Sequence, residues 1–446
     1  MRRGPYQTLK PSSVDWLGAV PEHWAVKRLR FVLTTNPSSR EAGHLAPDDK
    51  VSFVPMEAVG ERGGLDLVAT RTATDFVGTY TYFRDDDVVV AKITPCFENG
   101  KGAHAAGLVN GAAIGTTELH VLRPHSAALD ARFLFYLSIS QPFRALGEGA
   151  MYGAGGQKRV PDTFIKDYRA PLPPIDEQRT IATFLDRETA RIDALVAAKR
   201  WLIALLQEKR AALIARAVTR GLDPDVPTKD SGVAWLGRVP AHWEVMTLAR
   251  LTDKLTNGYV GPTREMFVDE GVPYLQSLHI KNNSIEFGND YFVTPEWSNA
   301  HRKSILREDD VLVVQTGDIG QVARVGSDWA DANCHALIIC SPNHDRIQGR
   351  YLSWLLCSAY GQAQLESLQT GALHPHLNCG NIKHMLLPVP PRAEQDSVAA
   401  HLDKEAAAIA RAGQLAQATI SRLTEYRSTL ITSAVTGCID VRSSKT

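Results

Sequence analysis

The sequence predicts an α+β fold in which two mostly β domains are separated by two long antiparallel coiled-coil helices, with an internal pseudo-two-fold repeat. Three observations predict it: a tryptophan-containing motif occurs twice, a proline-led helical segment occurs twice, and short β-rich runs lie between them. At 446 residues the chain is longer than one hydrophobic core supports, so several domains are expected. The two predicted domains are residues 1–170 and 223–387, and the helical segments that follow them are residues 171–222 and 388–446.

The tryptophan motif opens each half. VDWLGAVPEHWAVKRL begins at Val14 and returns as VAWLGRVPAHWEVMTL at Val233, with tryptophans, proline and histidine in register. Such self-similarity predicts a tandem duplication. Its tryptophans could stack on bases. Because both halves keep them, we favour anchoring against the domain core. The four tryptophans are Trp16, Trp24, Trp235 and Trp243.

The helical segments begin with P-x-P-P, at Pro171 in PLPPIDEQRTIATFLDRETARID and at Pro388 in PVPPRAEQDSVAAHLDKEAAAIA. Proline and acidic residues suit a first helical turn, and Gly221 and Gly437 supply C-terminal stops. Each helix would contain about 45 residues and extend roughly 65 Å. Paired rods of that length could hold two domains apart by about one to two turns of DNA.

Apolar side chains recur at seven-residue intervals along both helical segments, which predicts that the helices pair as a coiled coil. Lys199 interrupts the first stripe, and it could either fix the register or extend to solvent. The candidate helix-pairing residues are Leu185, Ile192, Leu206, Leu213, Leu402, Ile409, Leu423 and Leu430.

The segments between the motifs contain runs typical of strands: VSFVPM, DDVVVAKI and ELHVLRP in the first half, and VPYLQSLHI, DDVLVVQTGDIGQVARV and ALIICSP in the second. ARFLFYLSISQPFRAL and GRYLSWLLCSAYGQAQLESL each predict one amphipathic helix. The segment between the motifs is therefore predicted, in both halves, to be mostly β with one prominent helix.

Composition indicates an ordinary globular protein, with 44% hydrophobic and 22% charged residues. No run could span a membrane and no signal peptide is visible, so we expect a cytoplasmic protein. The six cysteines form no C-x-x-C pair, which argues against a zinc ribbon or dithiol site and favours mostly buried thiols. A net charge of zero argues against nucleic-acid binding, but phosphate contact needs only a local positive surface, which can coexist with an acidic surface elsewhere on the protein.

Together these motifs resemble the specificity subunit of type I restriction–modification systems. The resemblance covers nearly the whole chain and depends on W-L-G-x-V-P-x-H-W, P-x-P-P-x-x-E-Q and the A-V-T helix endings. DDVVVAKITPCFENGKGA from Asp86, GGQKRVPDTFIKDYRAPLPP from Gly155 and DDVLVVQTGDIGQVARV from Asp309 also resemble the family. The combination of these motifs is specific for the family, whereas any one of them alone would not be.

The resemblance implies a non-catalytic DNA-specificity subunit with two target-recognition domains, which bind a bipartite asymmetric target in double-stranded DNA, one half-site each. The helices would set the half-site spacing and dock two methyltransferase (modification) subunits, and a restriction subunit that translocates DNA would join them. No cofactor is expected in this chain, since S-adenosylmethionine, ATP and magnesium would belong to those partners.

Side chains that bind base edges or phosphates occur in the candidate loops of both domains. The candidate DNA-binding residues are Lys92, Lys101, Gln157, Lys158 and Arg159 in the first domain and Gln315, Arg324, His374, His376 and Asn378 in the second. Lys92 could equally be a solvated strand end. GAGGQKR resembles a nucleotide-binding loop but lacks G-x-G-x-x-G spacing. His374, His376 and Cys379 match no standard metal pattern, so a DNA-contacting loop equivalent to GGQKRV is favoured.

Three alternatives stay open. An enzyme is disfavoured because no Asn/Asp-Pro-Pro-aromatic methyltransferase motif is present, and Val90 stands where a nuclease would place the acid before Lys92. The acidic run Asp85–Asp87, like Glu308–Asp310, is better explained as a turn. A scaffold that binds only proteins would account for the neutral charge, and another restriction class could use a similar subunit.

Overall fold

A computed structural model of the chain describes residues 4–43, 45–73, 80–154, 156–263, 265–288, 291–371 and 375–442. The chain forms two compact units, the first containing residues 1–199 and 418–446 and the second residues 200–417. Each unit therefore combines one β-rich domain with the beginning of the helix that follows it and the end of the other long helix. The α+β class and the internal repeat are as predicted from the sequence.

The first unit contains short strands and three short helices before its long helix. The strands are β1 (Leu9–Pro11), β2 (Ala19–Pro21), β3 (Ala25–Arg28), β4 (Leu33–Thr35), β5 (Lys50–Val54), β6 (Thr70–Thr72), β7 (Thr81–Arg84), β8 (Val88–Ala91), β9 (Gly102–His104), β10 (Ala112–Gly115), β11 (Leu119–Pro124) and β12 (Arg169–Leu172). The helices are α1 (Ala131–Ser138), α2 (Gln141–Gly149), α3 (Asp162–Asp167) and α4 (Ile175–Arg220).

Two four-stranded sheets form the core of the first unit. One has the order β6-β5-β10-β7, with β5 and β10 parallel, and the other has the antiparallel order β4-β11-β8-β9. Side chains of both sheets, including Val54, Phe83 and Val121, meet in one buried cluster. Helix α1 packs on β8, β9 and β11. Short strands arranged in two sheets, with α1 packed on one of them, agree with the predicted β-rich domain.

The second unit repeats this plan. Its strands are β13 (Thr228–Asp230), β14 (Arg238–Pro240), β15 (Glu244–Thr247), β16 (Thr252–Asn257), β17 (Val272–Leu275), β18 (Ile280–Lys281), β19 (Ser284–Ile285), β20 (Phe292–Val293), β21 (Val311–Val314), β22 (Val322–Arg324), β23 (Asn333–Cys334), β24 (Leu337–Pro342) and β25 (Leu386–Val389). Its helices are α5 (Leu248–Leu251), α6 (Pro295–Ala300), α7 (Gly349–Cys357), α8 (Ala359–Ser367), α9 (Cys379–Ile382) and α10 (Arg392–Val435).

The antiparallel sheet of the second unit has the strand order of its counterpart in the first, while the other sheet has three strands, β20-β17-β23, instead of four. β16-β24-β21-β22 is antiparallel like β4-β11-β8-β9, and β17 pairs with β23 in parallel as β5 pairs with β10. Helix α7 packs on β21, β22 and β24 as α1 packs on β8, β9 and β11. The two domains therefore share one fold although few of their residues are identical.

The predicted long helices are present as α4, with 46 residues, and α10, with 44 residues. Gly221, with φ +75°, directly follows α4, and Gly437, with φ +79°, lies just beyond α10, so both glycine stops are confirmed. In the second unit, the end of α4 and the start of α10 share one apolar cluster with α7. Coiled-coil packing of the two helices stays a prediction.

Each segment predicted as one amphipathic helix is two helices. α1 ends before Ile139 and α2 begins after Ser140, while α7 and α8 separate at Ser358. The hydroxyl of Ser140 donates to the Leu137 carbonyl, and that of Ser358 makes the same bond to Leu355. A serine that binds the preceding turn and begins a new helix explains why the continuous apolar pattern was misleading.

The cysteines are less uniformly buried than the sequence suggested. Cys334 and Cys340 are buried, and burial raises the pKa of both thiols. Cys438 is exposed. No helix in the described part of the chain is long and apolar enough to cross a bilayer.

Candidate nucleic-acid interface

Within each unit, the tryptophan motif contacts the helical segment that begins with P-x-P-P. In the first unit the Glu177 carboxylate accepts hydrogen bonds from the Tyr6 hydroxyl at 2.7 Å and the Trp24 indole at 3.2 Å, and His23 Nε2 lies 2.7 Å from it. In the second unit Glu394 lies 2.7 Å from His242 Nε2. The glutamate of P-x-P-P-x-x-E-Q therefore attaches the opening motif to the first turn of the long helix.

The glutamine after that glutamate repeats its contacts in the two units. Gln178 accepts from the Asp130 amide at 2.9 Å and donates to the Ala128 and Pro173 carbonyls. Gln395 accepts from the Gln348 amide at 3.0 Å, and it donates to the carbonyls of Arg346 and Pro390. Each glutamine thereby holds the loop that leads into α1 or α7.

An aspartate at matching positions of the two long helices, Asp186 in α4 and Asp403 in α10, binds the short helix α1 or α7. Asp186 accepts hydrogen bonds from Arg132 at 3.0 Å and from the Tyr136 hydroxyl at 2.8 Å. At the matching position Asp403 pairs with Arg350 and accepts from the Trp354 indole at 2.6 Å. The residues common to both halves therefore build a constant frame, and the frame leaves loops free to differ.

The four tryptophans of the repeated motif differ in their burial. Trp24 and Trp243 are fully buried, which confirms anchoring for these two. Trp16 is half-buried against Tyr168, with ring centroids 5.2 Å apart. Trp235 is 60% exposed, so the anchoring interpretation is wrong for this residue. Met385 precedes β25 where Tyr168 precedes β12, so that position offers Trp235 no aromatic ring.

A hydrogen-bonded loop clamp lies beyond the end of β8 in the first unit. The Val160 amide donates to the Lys92 carbonyl at 2.8 Å, and the Thr94 amide donates to the Lys158 carbonyl at 3.0 Å. Arg159 and Tyr152 exchange both backbone hydrogen bonds. Gln157, Lys158 and Arg159 are therefore held beside Lys92 by the backbone, as strand-like pairing requires.

The same clamp occurs beyond β21 in the second unit. The Leu377 amide donates to the Gln315 carbonyl at 3.0 Å, and His376 and Thr370 exchange both backbone hydrogen bonds. The predicted equivalence of the GGQKRV and LHPHLNC loops is thereby confirmed for their described parts, residues 156–160 and 375–379. Corresponding positions carry Lys92 in one unit and Gln315 in the other, so the clamp is constant and its side chains are not.

The first-domain candidates differ in what their side chains contact. Lys158 and Gln157 are exposed, and Lys92 is half-buried. Lys101 donates from Nζ to the Met56 carbonyl at 2.8 Å, which occupies part of its hydrogen-bonding capacity within the domain. Arg159 forms two hydrogen bonds to Glu118. Four of the five candidates, Lys92, Gln157, Lys158 and Arg159, are thus brought together by the clamp.

The second-domain candidates are also partly engaged. Arg324 donates to Asp309 at 3.1 Å, and the Asn378 side chain caps α9 by accepting from the Asn381 amide at 2.9 Å. His376 is exposed, and Gln315 is half-buried. His374 lies outside the described residues. The clamp brings Gln315, His376 and Asn378 to one edge, whereas Arg324 lies on β22 beside the acidic turn.

The acidic run before β8 is a turn, as predicted, and so is its counterpart before β21. Asp87 accepts from the Arg84 amide at 2.8 Å, and Asp310 accepts from the Arg307 amide at the same distance. Within the described residues no cluster of three histidine, cysteine, aspartate or glutamate side chains could hold a metal ion.

The candidate helix-pairing side chains all lie on covered faces. Leu185, Ile192, Leu402, Ile409 and Leu430 are buried, and Leu206, Leu213 and Leu423 are half-buried. Lys199 is half-buried. This burial fits an apolar stripe, and the pairing of individual residues stays a prediction.

Two polar residues near the clamps, Glu118 and Asn257, were not predicted from the sequence. Glu118 lies just before β11 in an ordinary TTELH stretch, yet it binds an arginine 41 residues later in the chain. In the second unit, Asn257 accepts a hydrogen bond from the Cys379 thiol at 2.9 Å, beside a cavity lined by Tyr259, Arg302 and Lys303. Only side-chain positions could have identified these contacts, because neither lies in a repeated motif.

His120 supports the clamp from within the first domain. Its Nε2 lies 2.8 Å from the Val160 carbonyl, and burial lowers the pKa of its ring. The neutral ring can donate this bond without a buried charge. The loop that carries Lys158 is therefore tied to β11 by a side chain as well as by backbone bonds.

Known proteins share this architecture. The family model described as "Type I restriction modification DNA specificity domain" matches residues 21–200 and 240–418. The EcoEI specificity subunit of Escherichia coli is 40% identical over 169 residues, which cover 37% of this chain and only 28% of that relative. The putative MjaX specificity subunit of Methanocaldococcus jannaschii is 22% identical over 413 residues, covering 86% of this chain and 87% of that relative.

Two solved structures have the same fold. A chain from a study of complex assembly and conformational transition in the type I R-M system superposes with a TM-score of 0.72, at 16% identity, covering 93% of this chain and 98% of that one. The HsdS subunit from Thermoanaerobacter tengcongensis gives a TM-score of 0.56 at 18% identity, with coverage of 94% and 98%. With two matched domains on a repeated frame, the chain belongs to the type I restriction–modification DNA specificity domain family.

Proposed function

We propose that this chain is the specificity subunit of a type I restriction–modification system and that it binds a bipartite, asymmetric target in double-stranded DNA. Each domain would contact one half-site through its clamp and the loops around it. The observation that carries the proposal is the pair of equivalent clamps with unlike side chains, Lys158 and Arg159 in one and His376 in the other. A constant frame with variable loops suits a target whose two halves differ in sequence.

The charges of the first clamp support contact with DNA despite the neutral chain. Lys92 and Lys158 lie at one edge, and neither forms an ion pair with a described residue. Lysine there can neutralise phosphates, and phosphate contacts position a protein on the duplex. In the second domain Arg302 and Lys303 line the cavity beside Asn257 and could serve the same purpose.

The subunit would be non-catalytic and would recruit two methyltransferase subunits and a restriction subunit. S-adenosylmethionine, ATP and magnesium would be bound by those partners. The sequence supports this because it contains no Asn/Asp-Pro-Pro-aromatic methyltransferase motif. Exposed apolar side chains on α4, such as Trp201 at 68% and Leu205 at 43%, are available for a protein partner.

Methylome sequencing tests the bipartite target. A host carrying this gene together with the gene of its methyltransferase partner should acquire one modified motif made of two short defined blocks separated by a constant spacer. The deletion of this gene should abolish that modification. A single continuous motif, or modification that persists without this chain, would contradict the proposal. Labelled methyl transfer by the purified chain alone should be undetectable and should appear when the methyltransferase is added.

A further inference from the structure

Arg159 is held on one edge by Glu118. Its Nε donates to Glu118 Oε2 at 2.9 Å and its Nη2 donates to Oε1 at 2.8 Å, a two-pronged arrangement. Of the five N–H donors of a guanidinium, this leaves both on Nη1 and one on Nη2. The remaining donors form a second fork on the outer edge of the same plane.

The backbones on both sides of this pair are fixed. Arg159 exchanges two hydrogen bonds with Tyr152, and the Glu118 carbonyl accepts from the Lys92 amide at 2.9 Å. The Glu118 amide donates to the Thr116 hydroxyl at 3.2 Å. The guanidinium therefore has few alternative positions, although its side chain is 37% exposed.

The charge of the pair favours a base edge over a phosphate. Glu118 cancels the charge of Arg159, and a carboxylate beside the guanidinium would repel a phosphate. The arginine contact raises the ionised fraction of Glu118 because it lowers the pKa of that carboxyl. A rigid, neutral fork discriminates by hydrogen-bond pattern, and an arginine fork matches the O6 and N7 acceptors of guanine in the major groove.

We infer that Arg159 binds a guanine of the first half-site through its outer edge and that Glu118 is the positioning residue that orients it. Lys158 and Lys92 then supply the phosphate contacts on either side. The second domain has no such pair among its described residues, because Ala336 precedes β24 where Glu118 precedes β11, and His376 takes the place of Arg159. The guanine contact belongs to one half-site only. This inference rests on the proposed function.

The test uses the full chain with its methyltransferase partner and duplex pools randomised in the first half-site. The wild type should select a G·C pair at one position. The charge-conserving double variant Glu118→Gln with Arg159→Gln should lose that preference by roughly ten- to a hundredfold, keep the other positions, and leave the salt dependence of binding unchanged.

Glu118→Gln alone separates orientation from folding. It frees the charge of Arg159, so binding to all sequences should tighten and the slope of log K against log salt should steepen by about 0.9, while the guanine preference falls. A loss of structure would weaken binding instead. Arg187→Gln with Glu188→Gln removes another neutral pair of the same unit and should alter neither readout.

Full retention of the guanine preference in the double variant would overturn the inference and leave the proposed function standing. An unchanged slope and preference in Glu118→Gln would also overturn it. A wild-type protein that selects no sequence at all would refute the proposed function and this inference with it. Thermal unfolding of each variant confirms that the domain is folded.

Discussion

Arg123 and Asp87 form a buried two-pronged ion pair in the first unit, with Nε donating to Oδ1 at 2.7 Å and Nη2 donating to Oδ2 at 2.6 Å. The Asp87 side chain is 1% exposed. At the matching positions of the second unit, Asp310 faces Ser341 and has no ion-pair partner among the described residues. The same buried turn aspartate therefore has an arginine ion pair in one repeat and none among the described residues of the other.

Asp87→Ala should destabilise the first unit by about 3–5 kcal/mol, because removing one member of a buried pair leaves the other charge uncompensated. Glu41 also contacts Arg123 and would still partly compensate its charge, so the loss in free energy of unfolding should lie near the lower end of this range. Urea unfolding measures the change, and hydrogen exchange in β7, β8 and β11 locates it. A loss below about 1 kcal/mol would show that Glu41 alone compensates Arg123.

Asp310→Asn should stabilise the second unit at neutral pH. Burial raises the pKa of Asp310, while Lys254 and Arg307 oppose the shift. A raised folded-state pKa costs nothing at low pH, where both states are protonated, and the cost appears as pH rises through the unfolded value. The gain in Tm from Asp310→Asn should therefore be present at pH 7 and disappear near pH 3.5. A gain that is independent of pH would contradict this origin.

The frame was predictable because its residues repeat. Trp24, Glu177 and Gln178 recur in register, so duplication indicated both the long helices and the positions where the domains attach. The clamps were predictable in part, since GGQKRV and LHPHLNC precede the repeated helical motifs. Local patterns cannot predict pairs such as Glu118 with Arg159, because strand pairing decides which distant residues meet.

The breaks between α1 and α2 and between α7 and α8 could not be predicted, for a different reason. The apolar pattern continues through Ser140 and Ser358, and only the hydroxyl bonds to the preceding turn separate the helices. The sequence also did not predict the roles of Arg123 and Ser341, because each is a polar residue in a largely apolar strand. Whether such a residue has a buried partner depends on the neighbouring strand, which the sequence of one strand does not specify.

Glu177→Ala should cost more stability than Glu394→Ala. Glu177 is 7% exposed and binds Tyr6, His23 and Trp24, so its removal leaves buried donors without an acceptor. That loss is about 2–4 kcal/mol, against about 1 kcal/mol at Glu394. Urea unfolding of both variants measures the difference. Equal losses would mean that the extra bonds to Tyr6 and Trp24 contribute nothing.

Lys158→Gln should weaken binding to all DNA sequences alike and reduce the salt slope by about 0.9, the value for one phosphate contact. Lys101→Gln is the matched control, because the Lys101 ammonium is bound to the Met56 carbonyl. We expect a smaller change in slope there. Fluorescence anisotropy over a salt series measures both. An unchanged slope in Lys158→Gln would remove that residue from the phosphate contacts.

Gly437→Ala should destabilise the first unit by at least about 2 kcal/mol. Its φ of +79° costs an L-residue about 1–2 kcal/mol, and an added Cβ would lie 2.4 Å from Pro21 Cδ and 3.2 Å from Trp24. Gly221→Ala should cost less, because its nearest obstacle is the movable Glu394 carboxylate at 2.9 Å. Thermal unfolding ranks the two variants.

Gly413→Ala provides the control for these two substitutions. Gly413 lies inside α10 with nothing within 4 Å of an added Cβ, so alanine should stabilise the helix by about 1 kcal/mol through its higher propensity. The expected order of Tm is Gly413→Ala, wild type, Gly221→Ala and Gly437→Ala. If Gly437→Ala unfolded at the wild-type temperature, the close approach of that helix end to Pro21 and Trp24 would not constrain the domain.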